Sequence, residues 1–169
     1  MHLILVRHGP AEDRDKFAAR GRPDAERPLT DAGRRKTRDA AAGLARVVEA
    51  PVRIVTSPYV RARETAEIIR AACDSAPVRS VSALAPGGRR DRVLAGLGVS
   101  GSAILVGHEP DLGMLLGWLV TGRLEVWHAF KKAGAACVTF AGRPTPGTGG
   151  VEWILPPNAL RSLGRLTKP

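Results

Sequence analysis

The sequence predicts an α/β protein. The expected arrangement is three-layer α/β/α: a mostly parallel sheet, helices on both faces and one antiparallel edge strand. Three observations carry this expectation. Short runs of branched apolar residues alternate with stretches whose apolar residues recur at helical spacing, the pattern of a sheet wound with helices. Two of those runs end alike, one at Val6-Arg7-His8-Gly9 and one at Val106-Gly107-His108-Glu109-Pro110. The last two apolar runs are joined by a Pro/Gly-rich turn, which points to an antiparallel pairing.

The elements follow in order. Residues 3–6, Leu-Ile-Leu-Val, suit a buried strand that stops at Arg7, His8 and Gly9. Residues 10–28 read as a long polar loop carrying Arg14, Arg20, Arg22 and Arg27, and loops of that length are usually functional or mobile. Thr30 is placed to cap a helix, with Asp31 in its first turn. That helix runs to about Glu49, with Ala40, Leu44, Val47 and Val48 on its apolar side, and Pro51 closes it. A second strand covers residues 53–56. Ser57-Pro58 then shapes a turn into a helix over 59–72, whose apolar positions are Val60, Ala62, Ala66 and Ile69. Residues 78–81 make a third strand. Pro86-Gly87-Gly88 breaks the chain before a short helix over 91–97. A strand over 103–106 leads to Pro110, which fits the first turn of the next helix. The final strands are 135–140 and 151–155, joined by the turn 143–150.

Composition narrows the classes. A chain of 169 residues is expected to form one domain with a substantial core. No apolar stretch approaches the ~20 residues that a membrane helix needs, and 112–120 reads as a buried helix instead. The N-terminus lacks a basic segment followed by an apolar one, so no signal peptide and a cytoplasmic location are expected. Cys73 and Cys137 stand far apart without metal-ligand spacing, and are expected to be small buried residues rather than a disulfide. The formal charge of +10 is mostly arginine, which suits phosphate or carboxylate partners but also reflects an Arg- and Ala-rich coding bias. Aromatic residues are only 4%, so stacking platforms for nucleic acid are scarce and that partner is disfavoured.

Arg7, His8, Arg61 and His108 together offer two cations and two imidazoles. That set fits one chemistry. Phosphoryl transfer is mainly positioning and charge neutralisation. Arginine forks clamp the equatorial oxygens. A neutral imidazole can attack phosphorus and so split one displacement into two. Arg63, two positions from Arg61, should face away from it.

The segments Leu5-Val6-Arg7-His8-Gly9, Arg27-Pro28-Leu29-Thr30 with Gly33, Ser57-Pro58-Tyr59-Val60-Arg61-Ala62 with Thr65, and Val106-Gly107-His108-Glu109-Pro110 resemble the histidine phosphatase superfamily, the phosphoglycerate-mutase-like fold. The likeness covers nearly all of residues 1–169. The short length, Leu84-Ala85-Pro86-Gly87-Gly88 and Trp153-Ile154-Leu155-Pro156-Pro157-Asn158 resemble the SixA branch, the phosphohistidine phosphatases. The resemblance implies that His8 is the nucleophile and that Arg7 and Arg61 bind the phosphoryl oxygens. It implies that His108 completes the pocket, together with the backbone N–H of Glu109, and that Gly9 lets the backbone approach the ligand. No cofactor and no metal are implied. The implied partner is a phosphorylated protein of the histidine-phosphotransfer type, or a small phosphorylated molecule.

One departure bears on the substrate. Many superfamily members carry an acidic proton donor after the third strand, whereas residues 81–88 here contain no carboxylate and Asp91 is the nearest. Expelling an alkoxide without an acid is hard, while an imidazole leaving group needs less help. The absence favours P–N over P–O cleavage, although Glu12, Asp13 or Glu109 could supply a proton from another loop. Two rivals remain: a phosphatase of small phosphate esters or nucleotides, and a phosphate-binding module without turnover.

Overall fold

The computed structural model describes residues 1–49, 51, 53–73, 76–95, 97 and 101–166. Six strands form one sheet: β1 (His2–Arg7), β2 (Arg53–Thr56), β3 (Val78–Ser80), β4 (Ser102–Gly107), β5 (Ala135–Thr139) and β6 (Gly150–Leu155), in the order β3-β2-β4-β1-β5-β6. The helices are α1 (Arg14–Ala18), α2 (Asp31–Val47), α3 (Val60–Ala72), α4 (Arg90–Ala95), α5 (Asp111–Thr121) and α6 (Pro157–Gly164).

The pleat of β1 sends alternate side chains to two cores. Ile4 and Val6 join Ile54, Ile104 and Val106 beneath α2, α3 and α6. Leu3 and Leu5 join Ala103, Leu105 and Val138 beneath α4 and α5. Helices therefore cover both faces, as expected. Cys73 and Cys137 are buried in the first of these cores. Among the described residues, no helix is long and apolar enough to cross a membrane.

The sheet departs from the expectation at one side. β3, β2, β4 and β1 pair in parallel, and β5 is antiparallel to both β1 and β6. The one reversed strand is β5, which is not the edge. β4 already occupies the other side of β1, so the hairpin return adds β6 outside β5.

Local chemistry explains the other differences. Thr30 caps α2 as its sequence suggests, its side chain accepting the Gly33 N–H at 2.9 Å. Residues 10–28 are more ordered than a polar loop. Asp13 caps α1 by accepting the Lys16 N–H at 2.9 Å, and a short 3-10 turn covers Asp24–Glu26. Phe17 is buried and anchors the segment, with the guanidinium groups of Arg20 and Arg22 4.8 and 5.0 Å from its ring centre. Of the helix expected over 91–97, Gly96 lies outside the described residues. The sequence predicts no element after residue 155, yet α6 forms there. Pro157 occupies the first turn, where its missing N–H has no partner to lose.

Strand register places the site. β1 and β4 run side by side with Arg7 opposite Gly107, so the residues that follow, His8 and His108, emerge together at the carboxyl edge of the sheet. The His8 N–H donates to the Gly107 carbonyl at 3.0 Å, and the Ser57 N–H donates to the Val106 carbonyl at 3.0 Å. Three strand ends and the start of α3 thus converge where α/β sheets bind ligands.

Candidate active site

His8 and His108 are both buried, with ring centres 5.0 Å apart. His8 Nδ1 lies 2.7 Å from the Gly9 carbonyl oxygen. A carbonyl only accepts, so Nδ1 carries the proton and Nε2 keeps its lone pair. The Nε–H of Arg61 donates to that Nε2 at 3.3 Å. Burial pushes His8 down to about 3, against the Gly9 carbonyl and with help from His108, Arg61 and Arg7. At neutral pH the ring is uncharged and nucleophilic at Nε2.

Two guanidinium groups flank it, Arg61 buried and Arg7 half-buried. Arg7 donates through Nη1 to the Phe130 carbonyl at 2.6 Å, and its buried Nε has no partner among the described residues. Arg61 donates through Nη1 to the Asp24 carbonyl at 2.8 Å and through Nη2 to the Asp24 carboxylate at 2.9 Å. The Tyr59 ring stacks on Arg61 at 4.9 Å. Asp24 also accepts from Arg27 Nε at 2.8 Å. Burial alone would raise the Asp24 carboxyl, but Arg27 and Arg61 hold it below the usual carboxylate range. The segment after β1 thereby reaches back to orient Arg61.

His108 Nε2 lies 2.8 Å from the Ser57 hydroxyl, and its Nδ1 is buried without a partner among the described residues. Burial pushes this ring down to about 3 as well; Arg61, Arg27 and Arg7 add to the effect and Asp24 opposes it. The Glu109 carboxylate accepts the Phe130 N–H at 3.2 Å and is raised by burial.

These groups line a cavity of about 630 Å³, with Arg7, His8, Arg61 and His108 joined by Arg14, Arg27 and Lys132 and by the carboxylates of Glu12, Asp13, Asp24 and Glu109. Lys132 belongs to a turn closed by the Gly134 N–H on the Lys131 carbonyl at 2.8 Å. In that turn Ala133 takes φ 62° and donates to the carbonyls of Arg7 and His8 at 3.1 and 3.2 Å. A left-handed alanine costs roughly 1–2 kcal/mol, and here it ties the turn to the nucleophile strand. Among the described residues no group of His, Cys, Asp or Glu is arranged to hold a metal ion.

The structure brings together Arg7, His8, Arg61, His108 and Glu109. At Gly9 the N–H donates to Thr65 Oγ1 at 2.9 Å, and a Cβ there would lie 2.1 Å from Thr37 Oγ1. Glycine is thus needed for packing against α2. Arg63 is exposed, away from Arg61. Asp91 pairs with Arg89 at 2.7 Å on the surface and does not line the cavity. Asp24, Lys132 and the contact from Ser57 to His108 were not found from sequence. The interleaved Arg residues of the 10–28 segment were the only hint of the first.

Comparison with known proteins gives a family and a fold. Residues 3–85 match the family model of the histidine phosphatase superfamily (branch 1). An uncharacterized protein of Picosynechococcus sp. (strain ATCC 27264 / PCC 7002 / PR-6) is 37% identical over 139 residues, covering 79% of this chain and 82% of that one. The structure of the protein histidine phosphatase SixA complexed with tungstate is 27% identical, with a TM-score of 0.76 over 95% of this chain and 99% of that one. The putative phosphohistidine phosphatase SixA from Agrobacterium tumefaciens is 23% identical, with a TM-score of 0.72 over 91% and 96%.

Proposed function

The chain belongs to the histidine phosphatase superfamily, in its SixA-type group, and from that premise we propose that it removes the phosphoryl group from phosphohistidine of a signalling protein. The observation that carries the reading is the neutral His8, whose unprotonated Nε2 accepts, among the described residues, only the Arg61 Nε–H and is set between Arg7, Arg61 and His108. His8 Nε2 attacks phosphorus. Arg7 and Arg61 neutralise the equatorial oxygens while the Arg61 Nε–H moves from His8 to an oxygen. The leaving imidazole departs with the electron pair of the P–N bond. Water then attacks the phosphoryl group on His8 and releases inorganic phosphate. That the similar SixA structure is a complex with tungstate, a tetrahedral oxyanion, supports a phosphoryl-binding function. Residues 81–88 approach the cavity through Pro86 and bring no carboxylate, which favours a leaving group that needs no acid.

A second reading, a phosphatase of small phosphate esters or nucleotides, is favoured by the four carboxylates on the cavity wall. One assay separates the readings. The protein is incubated with a phosphohistidine peptide, with p-nitrophenyl phosphate and with a sugar phosphate, and any phosphoenzyme is trapped. Preference for the peptide and an acid-labile phosphoenzyme are expected. His8→Ala should abolish both turnover and trapping; near-normal rate in that variant would sink the covalent mechanism. Turnover of none of the three, with phosphate still bound, would identify a binding module.

A further inference from the structure

Ser57 is fully buried at the end of β2, and its Oγ has two neighbours that constrain its proton. It accepts the Tyr59 N–H at 3.3 Å and lies 2.8 Å from His108 Nε2. A hydroxyl offers one proton and two lone pairs, and a neutral imidazole carries a proton on only one nitrogen. Two arrangements are therefore available. If Nε2 carried the proton, the Ser57 oxygen would accept from both Tyr59 and His108. Its own proton would then be buried with no acceptor, a penalty that buried polar groups rarely bear. His108 Nδ1, itself buried and unpartnered, would also present a lone pair to an incoming anion. If Nδ1 carries the proton, each atom has a use. The Ser57 hydroxyl donates to Nε2, and Nδ1–H remains as a donor on a ring that lines the cavity.

We propose that Ser57 is a positioning residue that fixes His108 as its Nδ1–H tautomer, so that His108 meets the phosphoryl group as a neutral hydrogen-bond donor. The proposal rests on the reading of the cavity as a phosphoryl site. It separates the duties of the two imidazoles. The Gly9 carbonyl holds the proton of His8 on Nδ1 and frees Nε2 to attack. The Ser57 hydroxyl also leaves the proton of His108 on Nδ1, but there it is the protonated nitrogen that is left for the ligand. One ring supplies an electron pair and the other a donor, and neither ring adds a further full positive charge to a cavity that already holds Arg7, Arg61, Arg14, Arg27 and Lys132. A single hydroxyl thereby decides whether His108 attracts or repels the substrate oxygens.

The test reads the proton directly. Long-range proton–nitrogen NMR spectra of the ¹⁵N-labelled protein at neutral pH report which nitrogen of each neutral imidazole is protonated, and His108→Gln assigns the His108 signals. The unmodified protein should show His108 protonated at Nδ1, with that proton shifted on adding inorganic phosphate. Ser57→Ala should mix the two tautomers and lower kcat/KM for p-nitrophenyl phosphate by about 10- to 100-fold, the range for losing the partner that orients a metal-bound imidazole. A merely structural serine would alter stability without moving the tautomer. Protonation at Nε2 in the unmodified protein would overturn the proposal, even if the variant failed to fold. Unchanged kcat/KM in a folded Ser57→Ala protein would overturn it too. An Nδ1–H tautomer that responds to phosphate in a protein that turns over no substrate would support it, while the phosphatase reading alone would fall.

Discussion

Arg61 and Arg63 stand two positions apart on α3 and meet opposite surroundings: Arg61 is buried against His8 and Asp24, and Arg63 is exposed. Helical spacing alone makes that distinction legible. Arg61→Ala and Arg7→Ala are each expected to cost about 2.7–4 kcal/mol of transition-state stabilisation, the range for losing one preorganised donor to a developing oxyanion. Steady-state kcat/KM checks it, and a larger loss in Arg63→Ala would contradict the placement. The histidines carry a second expectation, in pH. His8 and His108 are both pushed from about 6.5 down to about 3 by folding. Between those values the unfolded chain binds more protons than the native one, so stability falls as pH falls. The slope is about 1.4 kcal/mol per pH unit for each ring that is charged only when unfolded. Urea unfolding of the unmodified protein should weaken steadily from pH 7 to 4, and His108→Asn should flatten that dependence. An equally steep loss in the variant would mean that other groups control it. Contacts such as Ser57 with His108 and Asp24 with Arg61 span 51 and 37 positions. No local pattern encodes them, which is why sequence reading stopped at the motif residues.

At the scale of elements, legibility followed burial. The central strands are continuous apolar runs because helices cover both faces, and their ends at Arg7-His8 and Gly107-His108 were readable for the same reason. α1 was not readable: in five residues only Phe17 is buried, too little for a period to show. α6 was hidden behind two prolines, yet it packs closely on α2 through small residues. A Cβ on Gly43 would lie 1.8 Å from the Leu160 carbonyl oxygen and 3.0 Å from the Gly164 N. Both are backbone atoms, which cannot rotate away as a side chain can. Gly43→Ala should therefore force α2 and α6 apart. It is expected to destabilise the protein by about 1–3 kcal/mol despite alanine's better helix propensity. Equilibrium urea unfolding measures this. A gain in stability would mean that α6 adjusts freely on α2, and would remove the close approach as the reason for glycine at this position.

For the whole molecule, the question is how a basic protein with carboxylates around its site treats its leaving group. Four acidic side chains line the cavity, but their surroundings differ. Asp24 is held ionised by Arg27 and Arg61, and Asp13 is held low by capping α1 at the Lys16 N–H. Glu12 pairs with Arg20. Glu109 is the one pushed upward, by burial, yet its carboxylate already accepts the Phe130 N–H. The strand-end stretch 81–88 contributes only Pro86 to the cavity wall. With no carboxyl brought to the cavity by that stretch, a departing alkoxide receives no proton from it. The rate should then depend steeply on leaving-group basicity, with phosphohistidine and aryl phosphates turned over well and unactivated alkyl phosphates slowly. A series of phosphate esters of graded alcohol pKa, measured as kcat/KM, checks this. A flat dependence would show that a proton donor operates. Glu109→Gln would then be the first variant to make, because Glu109 is the cavity carboxylate that the fold biases toward its protonated form. Restored steepness in that variant would identify the donor and shift the substrate from phosphohistidine toward small phosphate esters.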